Sequence, residues 1–302
     1  MNAWIRRAAI AAGALAAAAA AVVAYGAWNA DRKLARRVAL PPLAFAVSMA
    51  PGQRERGKYL FESRGCIECH GLDGGGRVFI DDPHGLRVKA PDIASGAGSV
   101  VAGYTDLDYE RTIRHGVKRD GRPAFIMPSE DYSRLTDADL SALVTYVRSL
   151  PPVAGGGPLE ARVPLPVRVL YGLGAIEDAA AKIDHALPPP QPVAQAVSPE
   201  HGHYVAQMCV GCHGPGLSGG KIPGGPPDWP AAANLTPGEG SVMAARYPDA
   251  AAFAAMLRSG RRPDGSAIAV MPFQALGKLD DTDVQAIHAF LKTVAPKAAG
   301  GR

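Results

Sequence analysis

The sequence predicts an all-α protein: two copies of one helical module behind an N-terminal helix long enough to cross a membrane. Three observations carry this. An uncharged run over residues 8–28 follows Arg6-Arg7. Residues 107–152 align without a gap on residues 251–296, at an offset of 144, which marks an internal repeat. No alternating apolar and polar pattern of strand type runs over any useful length.

The first helix follows from length. The 21 residues of 8–28 make roughly 31 Å of α-helix against a hydrocarbon core of about 30 Å. Tyr25 and Trp28 sit where interfacial aromatics belong. A cleaved signal peptide is the competing reading, because Ala24-Tyr25-Gly26 offers small residues for cleavage and alanine is a weak membrane residue. The apolar length, beyond the roughly 7–15 residues of a signal sequence, favours a retained anchor. In each module a short helix then leads in, over residues 56–63 and 201–208. A second helix should end near Gly116 and near Gly260, each placed as a C-terminal glycine cap. A last helix starts at Thr136 and at Asp280, N-cap residues with an acid three positions on. Its apolar stripe is Leu140, Leu143, Val147 and Leu150, repeated as Val284, Ile287, Leu291 and Val294. The segment joining the modules holds Pro151-Pro152, three glycines at 155–157 and three prolines at 188–190, a semi-rigid spacer. Its middle, residues 167–183, is apolar enough for one helix packed on a module or on a partner.

All four cysteines fall in two pentapeptides, Cys66-Ile67-Glu68-Cys69-His70 and Cys209-Val210-Gly211-Cys212-His213. C-x-x-C-H is the signature of covalent c-type haem attachment. The two thiols add to the haem vinyl groups, and the adjacent histidine reaches the iron. Two covalently bound haem c groups are therefore expected, on Cys66 and Cys69 and on Cys209 and Cys212, with His70 and His213 as iron ligands. No thiol remains for a disulfide or a nucleophile. A zinc ribbon also uses two C-x-x-C pairs, but about 15–20 residues apart, whereas positions 66 and 209 are 143 apart. A thioredoxin-like dithiol needs one such pair and no histidine.

Haem iron has a second axial position. Met127-Pro128 lies 57 residues after His70, and Met271-Pro272 lies 58 after His213. A lone methionine is more often a core filler, but two Met-Pro pairs at matched spacing point to Met127 and Met271 as the distal ligands. Met243 and Met256 have no counterpart in the first copy. Arg114-His115-Gly116 aligns with Arg258-Ser259-Gly260, and Asp120-Gly121 with Asp264-Gly265, a turn dipeptide. His115, which the second copy replaces with Ser259, reads as a polar helix-end residue rather than a rival ligand. His201 and His203 are assigned to a helix surface, and His84 and His185 have no identifiable partner. Trp229 is expected to pack near the second haem.

Both halves resemble class I cytochrome c domains. The run Asn234-Leu235-Thr236-Pro237, with Arg258-Ser259-Gly260, Asp264-Gly265, Met271-Pro272 and the closing helix, resembles the membrane-bound cytochrome c subunits of bacterial dehydrogenase complexes. Many of those carry three haems, and this chain has two motifs. The organisation expected is a signal-anchor at 1–30, a juxtamembrane stretch at 31–50, cytochrome c domains at 51–152 and 197–298, and a Pro-rich linker at 153–196. The resemblance implies an electron-transfer protein rather than an enzyme, passing electrons from a dehydrogenase toward a terminal oxidase or a soluble cytochrome. Two alternatives stay open. A dihaem peroxidase needs one five-coordinate iron, so its halves should differ in distal ligand, and here they match. A fixed cytochrome subunit of a haem–copper oxidase differs only in its docking partner.

Compartment follows from chemistry. Haem c is attached after the unfolded chain crosses the membrane, which favours general secretion over twin-arginine export despite Arg6-Arg7. The modules are thus expected on the periplasmic side of the inner membrane of a Gram-negative bacterium, although Arg32, Lys33, Arg36 and Arg37 run against the positive-inside tendency. The net charge of +4 is concentrated in residues 1–50, with six basic residues against one acidic. Residues 51–150 hold 14 against 15, and residues 197–302 nine against eight. No basic stripe serves a nucleic acid. The cluster around Arg32 suits lipid headgroups, so the partners expected are the membrane and redox proteins.

Overall fold

The structure, a computed structural model, describes residues 2–226 and 228–301. The apolar N-terminal run extends into one continuous helix, α1 (Ala3–Ala35), of 33 residues, long and apolar enough to cross a membrane. Of its residues only Gly26 and Ala30 are buried.

The first module is built on α2 (Gln53–Ser63), α3 (Cys66–His70), α4 (Asp106–His115), α5 (Ser129–Tyr132) and α6 (Asp137–Ser149). Helices α2 and α6 cross at Gly57, where a Cβ would lie 1.9 Å from the carbonyl oxygen of Ala142. Only glycine allows backbones to approach so closely. The crossing buries Leu60, Phe61, Leu140, Leu143, Val144 and Val147. Each such side chain contributes about 1.5–3 kcal/mol by leaving water. Two segments of the linker follow, α7 (Leu165–Leu173) and α8 (Ala179–Lys182). The second module repeats the plan with α9 (Pro199–Ala206), α10 (Val210–His213), α11 (Val242–Arg246), α12 (Ala250–Ser259), α13 (Phe273–Leu276) and α14 (Asp281–Leu291). A 3₁₀ turn over Gln207–Cys209 joins α9 to α10. Here α9 crosses α14 at Gly202, again 1.9 Å from a carbonyl oxygen, that of Ala286.

The helix ends match expectation at Gly116 and Gly260, which cap α4 and α12 in the left-handed region at φ 63° and 68°. Thr136 and Asp280 cap α6 and α14 through their side chains. The acid three positions on does not return to the cap as expected; Asp139 and Asp283 are drawn elsewhere. A closed capping box forms instead at α4, between Thr105 and Asp108.

Two further features depart from the sequence reading. A small antiparallel sheet pairs β1 (Val78–Asp81), β2 (Arg87–Lys89) and β3 (Glu160–Arg162) in that order. Strands of three and four residues are too short to show a period of two. The linker also holds two helices rather than one. The longer, α7, packs mainly on α1, with Tyr171 set edge-on against Phe125 of the first module.

What draws Asp139 and Asp283 away is an exchange between the modules. The Tyr59 hydroxyl of α2 donates to Asp283 Oδ2 (2.6 Å) and accepts from the Asp280 N–H (3.2 Å). The Tyr204 hydroxyl of α9 donates to Asp139 Oδ2 (2.7 Å) and accepts from the Thr136 N–H (3.3 Å). Tyr59 and Tyr204 occupy equivalent places, as do Asp139 and Asp283, so each module grips the other's last helix in the same way. The relation is that of a two-fold interface within one chain. A second exchange repeats the pattern: Glu68 Oε1 accepts from the Ala275 N–H (2.9 Å), and Asp131 Oδ1 from the Gly211 N–H (3.0 Å). Arg64, 6% exposed, pairs with Asp283 at 2.6 Å. Burial pushes the Tyr59 phenol up to about 12, which keeps it a hydroxyl donor. Burial raises the Asp283 carboxyl, but Arg64 and the hydrogen bonds from Tyr59 and His201 outweigh it and hold the group below the usual carboxylate range.

Candidate haem sites

Each C-x-x-C-H motif folds into a single helical turn. In α3 this sets Cys66, Cys69 and His70 at i, i+3 and i+4, on one face. The second motif bends through the 3₁₀ turn into α10 and reaches the same end. His70 Nδ1 lies 3.0 Å from the Pro91 carbonyl oxygen, and His213 Nδ1 lies 2.8 Å from that of Ala233. A carbonyl only accepts, so Nδ1 carries the proton and Nε2 is left with its lone pair, the arrangement of a metal-bound imidazole. Burial also pushes the His70 imidazole below its ordinary range, favouring the neutral form that binds metal.

The methionine loops are equally matched. Bridges Val117↔Pro123 and Arg261↔Ala267 close two small turns, with Gly121 and Gly265 at φ 81° and 83°. The chain then returns to Met127, whose carbonyl accepts from Ser129 N–H (2.8 Å), and to Met271, whose carbonyl accepts from Phe273 N–H (2.9 Å). Met127 and Cys66 both pack on the first core, and Met271 and Cys209 on the second. In the second module Cys209, Cys212, His213 and Met271 line one apolar cavity of about 350 Å³, within the roughly 300–1,000 Å³ of sites that take cofactor-sized ligands. Arg246 and Arg262 also line it and suit a group that carries carboxylates. So do Met208, Met243 and Met256, but only Met271 has an equivalent in the first module. Paired cysteines, an oriented imidazole and a facing thioether on an apolar cavity are the donor set that haem c requires, so the residues fit the group.

Burial pushes the Cys66 and Cys209 thiols up to about 12 and Cys69 up to about 11. Thiols so protonated make poor nucleophiles or exchange partners. Among the described residues no three His, Cys, Asp or Glu side chains gather around a point, so the zinc-ribbon reading has no ligand set.

The cavity is not closed by the second module alone. Glu68 and Cys69 of the first motif, with Gly65, Asp131 and Tyr132, complete its wall. The two attachment segments are therefore neighbours. Asp131 is partly buried there, and burial with the neighbouring Glu130 pushes its carboxyl up to about 7.

Several sequence assignments change. His201 is not on a surface: it is 1% exposed, with Nε2 2.6 Å from Asp283 Oδ1. His203 is exposed as expected. His185 has a partner, His115, with the two Nδ1 atoms 3.0 Å apart. Trp229 is 43% exposed and does not line the second cavity. Sequence reasoning missed Gly57 and Gly202, the carbonyls of Pro91 and Ala233, and the Tyr59 and Tyr204 exchange. A glycine and a tyrosine at equivalent places in both lead helices were the available signal.

Comparison with known proteins agrees with this geometry. The family described as "Cytochrome c" matches residues 54–151, and that described as "Cytochrome C oxidase, cbb3-type, subunit III" matches residues 199–291. The fructose dehydrogenase cytochrome subunit of Gluconobacter japonicus is 32% identical over 43% of this chain and 27% of its own length. The gluconate 2-dehydrogenase cytochrome c subunit of Pantoea cypripedii is 28% identical over 53% of this chain and 38% of its own. The alcohol dehydrogenase (quinone) cytochrome c subunit of Gluconobacter oxydans is 30% identical over 40% and 27%. The aligned regions thus cover well under half of those relatives.

Proposed function

From a chain built of two cytochrome c domains and homologous to the cytochrome c subunits of membrane-bound dehydrogenases, we propose a membrane-anchored dihaem electron carrier. It takes electrons from a dehydrogenase and passes them to a terminal oxidase or a soluble cytochrome on the periplasmic side of the inner membrane. The observation that carries the proposal is the duplicated site: the same imidazole-to-carbonyl bond and the same methionine loop occur in both modules.

Haem c, when bound, supplies a one-electron couple at iron. The protein's residues do the rest. Cys66, Cys69, Cys209 and Cys212 tether the groups. His70 with Met127, and His213 with Met271, would hold the iron of each group, and with both ligands in place dioxygen or peroxide would find no open site. Histidine with methionine raises the potential, and an apolar wall disfavours the more highly charged oxidised state. The shared wall at Gly65, Glu68 and Cys69 keeps the two attachment segments adjacent, an arrangement that would let an electron pass between bound groups within the chain.

A retained α1 is supported by what packs on it. Gly26, the last residue of the small-residue stretch that would suit a signal peptidase, is buried beneath α7. Arg36 reaches Asp178 at 2.6 Å.

The test is purification from membranes in mild detergent. Co-purification of a dehydrogenase subunit, with reduction of both haems by its substrate, is the expected result. The match of residues 199–291 to an oxidase subunit supports a second reading, and co-purification of a haem–copper oxidase would select it. Rapid peroxide turnover by the isolated protein would refute electron transfer as the sole role.

A further inference from the structure

Helix α7 has a position and a surface that the haem sites do not explain. It lies against α1 at the level where the apolar run ends. A Cβ on Gly172 would fall 1.8 Å from the carbonyl oxygen of Gly26, and one on Gly26 would fall 2.9 Å from Val169. The polar groups of this contact are turned inward. Asn29 donates to the Gly172 carbonyl (2.7 Å), Lys33 to that of Tyr171 (2.8 Å), and Arg168 pairs with Asp31 (2.7 Å). The opposite face is left without charge. Pro166, Leu170 and Leu173, at i, i+4 and i+7, form an exposed stripe, the two leucines 45% and 46% exposed. Tyr25 and Trp28 are exposed at the same level of α1, and Arg32 stacks on Trp28.

We propose that α7 is an interfacial helix, its Pro166–Leu170–Leu173 stripe seated in the headgroup–acyl boundary of the membrane that α1 crosses. The inference rests on the reading of α1 as a retained anchor. What selects lipid as the occupant is continuity. The stripe extends the exposed apolar surface of α1 near the depth of its aromatic residues, where the basic cluster begins and Lys33 reaches the Tyr171 carbonyl. Amphipathic helices of this kind bury their apolar face about 5–10 Å into the boundary. With α1 alone the modules would be tethered at a point. With α7 also held, a second point of attachment limits their tilt. Arg36 carries that constraint to Asp178, which caps α8, and α8 packs on α5, directly after Met127-Pro128.

The experiment uses the full-length holoprotein in lipid nanodiscs of phosphatidylethanolamine and phosphatidylglycerol. Its native cysteines are consumed by haem, so one introduced thiol takes a fluorophore. Labels go on Leu170→Cys, on Leu15→Cys within α1 and on Lys278→Cys in the second module. Each is read with and without nitroxide-bearing lipid, so that quenching by haem cancels. The Leu170 label should lose roughly half its emission at a boundary depth of about 5–10 Å, the Leu15 label should also be quenched, and the Lys278 label should be unchanged. A Leu170 label that lipid does not quench, beside a quenched Leu15 label, overturns the proposal and leaves the anchor standing. If that label also resists aqueous iodide, protein covers the stripe. An unquenched Leu15 label overturns the anchor and the proposal together.

Discussion

Substitution of Gly202 by alanine should unseat the second module. The new Cβ would lie 1.9 Å from the Ala286 carbonyl oxygen, where ordinary contact begins at 3.4 Å, so α9 and α14 must part by about 1.5 Å. The obstacle is backbone and cannot rotate away. Overpacking of this kind costs about 1–3 kcal/mol, and the rigid contact places it near the upper end. Alanine returns about 1 kcal/mol through helix propensity. The net loss is about 2 kcal/mol, which for a unit of this size lowers Tm by about 8–16 °C. Thermal unfolding of the holoprotein followed by circular dichroism measures it. Gly57→Ala meets the same 1.9 Å contact and should do the same to the first module, while Gly13→Ala, with nothing within 4 Å, should not. If Gly202→Ala melts within about 2 °C of the parent, the helices do not cross at that glycine and the reasoning fails.

Met127→Leu and Met271→Leu should each open one iron to carbon monoxide; an unchanged spectrum under carbon monoxide in either variant would remove that methionine as a ligand. Tyr59→Phe and Tyr204→Phe each delete a hydrogen bond to a carboxylate and should cost about 1.5–3 kcal/mol in denaturant unfolding. Equal losses are expected because the contacts are equivalent, and a loss in only one variant would contradict the exchange. Asp131 sets a pH dependence. Its folded value of about 7 exceeds the ordinary 3.8, so its contribution is fully present below the unfolded value and is lost as pH rises through about 7. Asp131→Asn should therefore flatten stability against pH between about 4 and 7; an unaltered profile would show that this carboxyl does not titrate there.

Much of this architecture was open to reading because it is local. C-x-x-C-H fixes its own turn, glycine caps end α4 and α12, and the methionine loops repeat at one offset from residue 107 onward. The glycine and tyrosine shared by the lead helices escaped because the offset is not constant: Gly57 and Gly202 differ by 145, the motifs by 143 and the methionines by 144. An alignment built on the last segment slides past the first. Asp139 and Asp283 were read as capping acids because their three-residue spacing suits a box, and local spacing cannot show that a tyrosine from the other module competes for the carboxylate. The helix expected in the linker exists, but its partner is α1, more than a hundred residues earlier. His201 was misplaced for the same reason, since its burial depends on Asp283.

The Tyr59 and Tyr204 exchange bears on how such a chain can change over generations. Duplication ordinarily frees one copy to drift while the other keeps the original task. Here the loss of either tyrosine is felt in the opposite half, where a carboxylate gives up one of its hydrogen bonds. Separating the halves would part Arg64 and Tyr59 from Asp283, and Tyr204 from Asp139. The repeat is locked into co-inheritance, and any new specificity must be written on the outer loops, away from the seam.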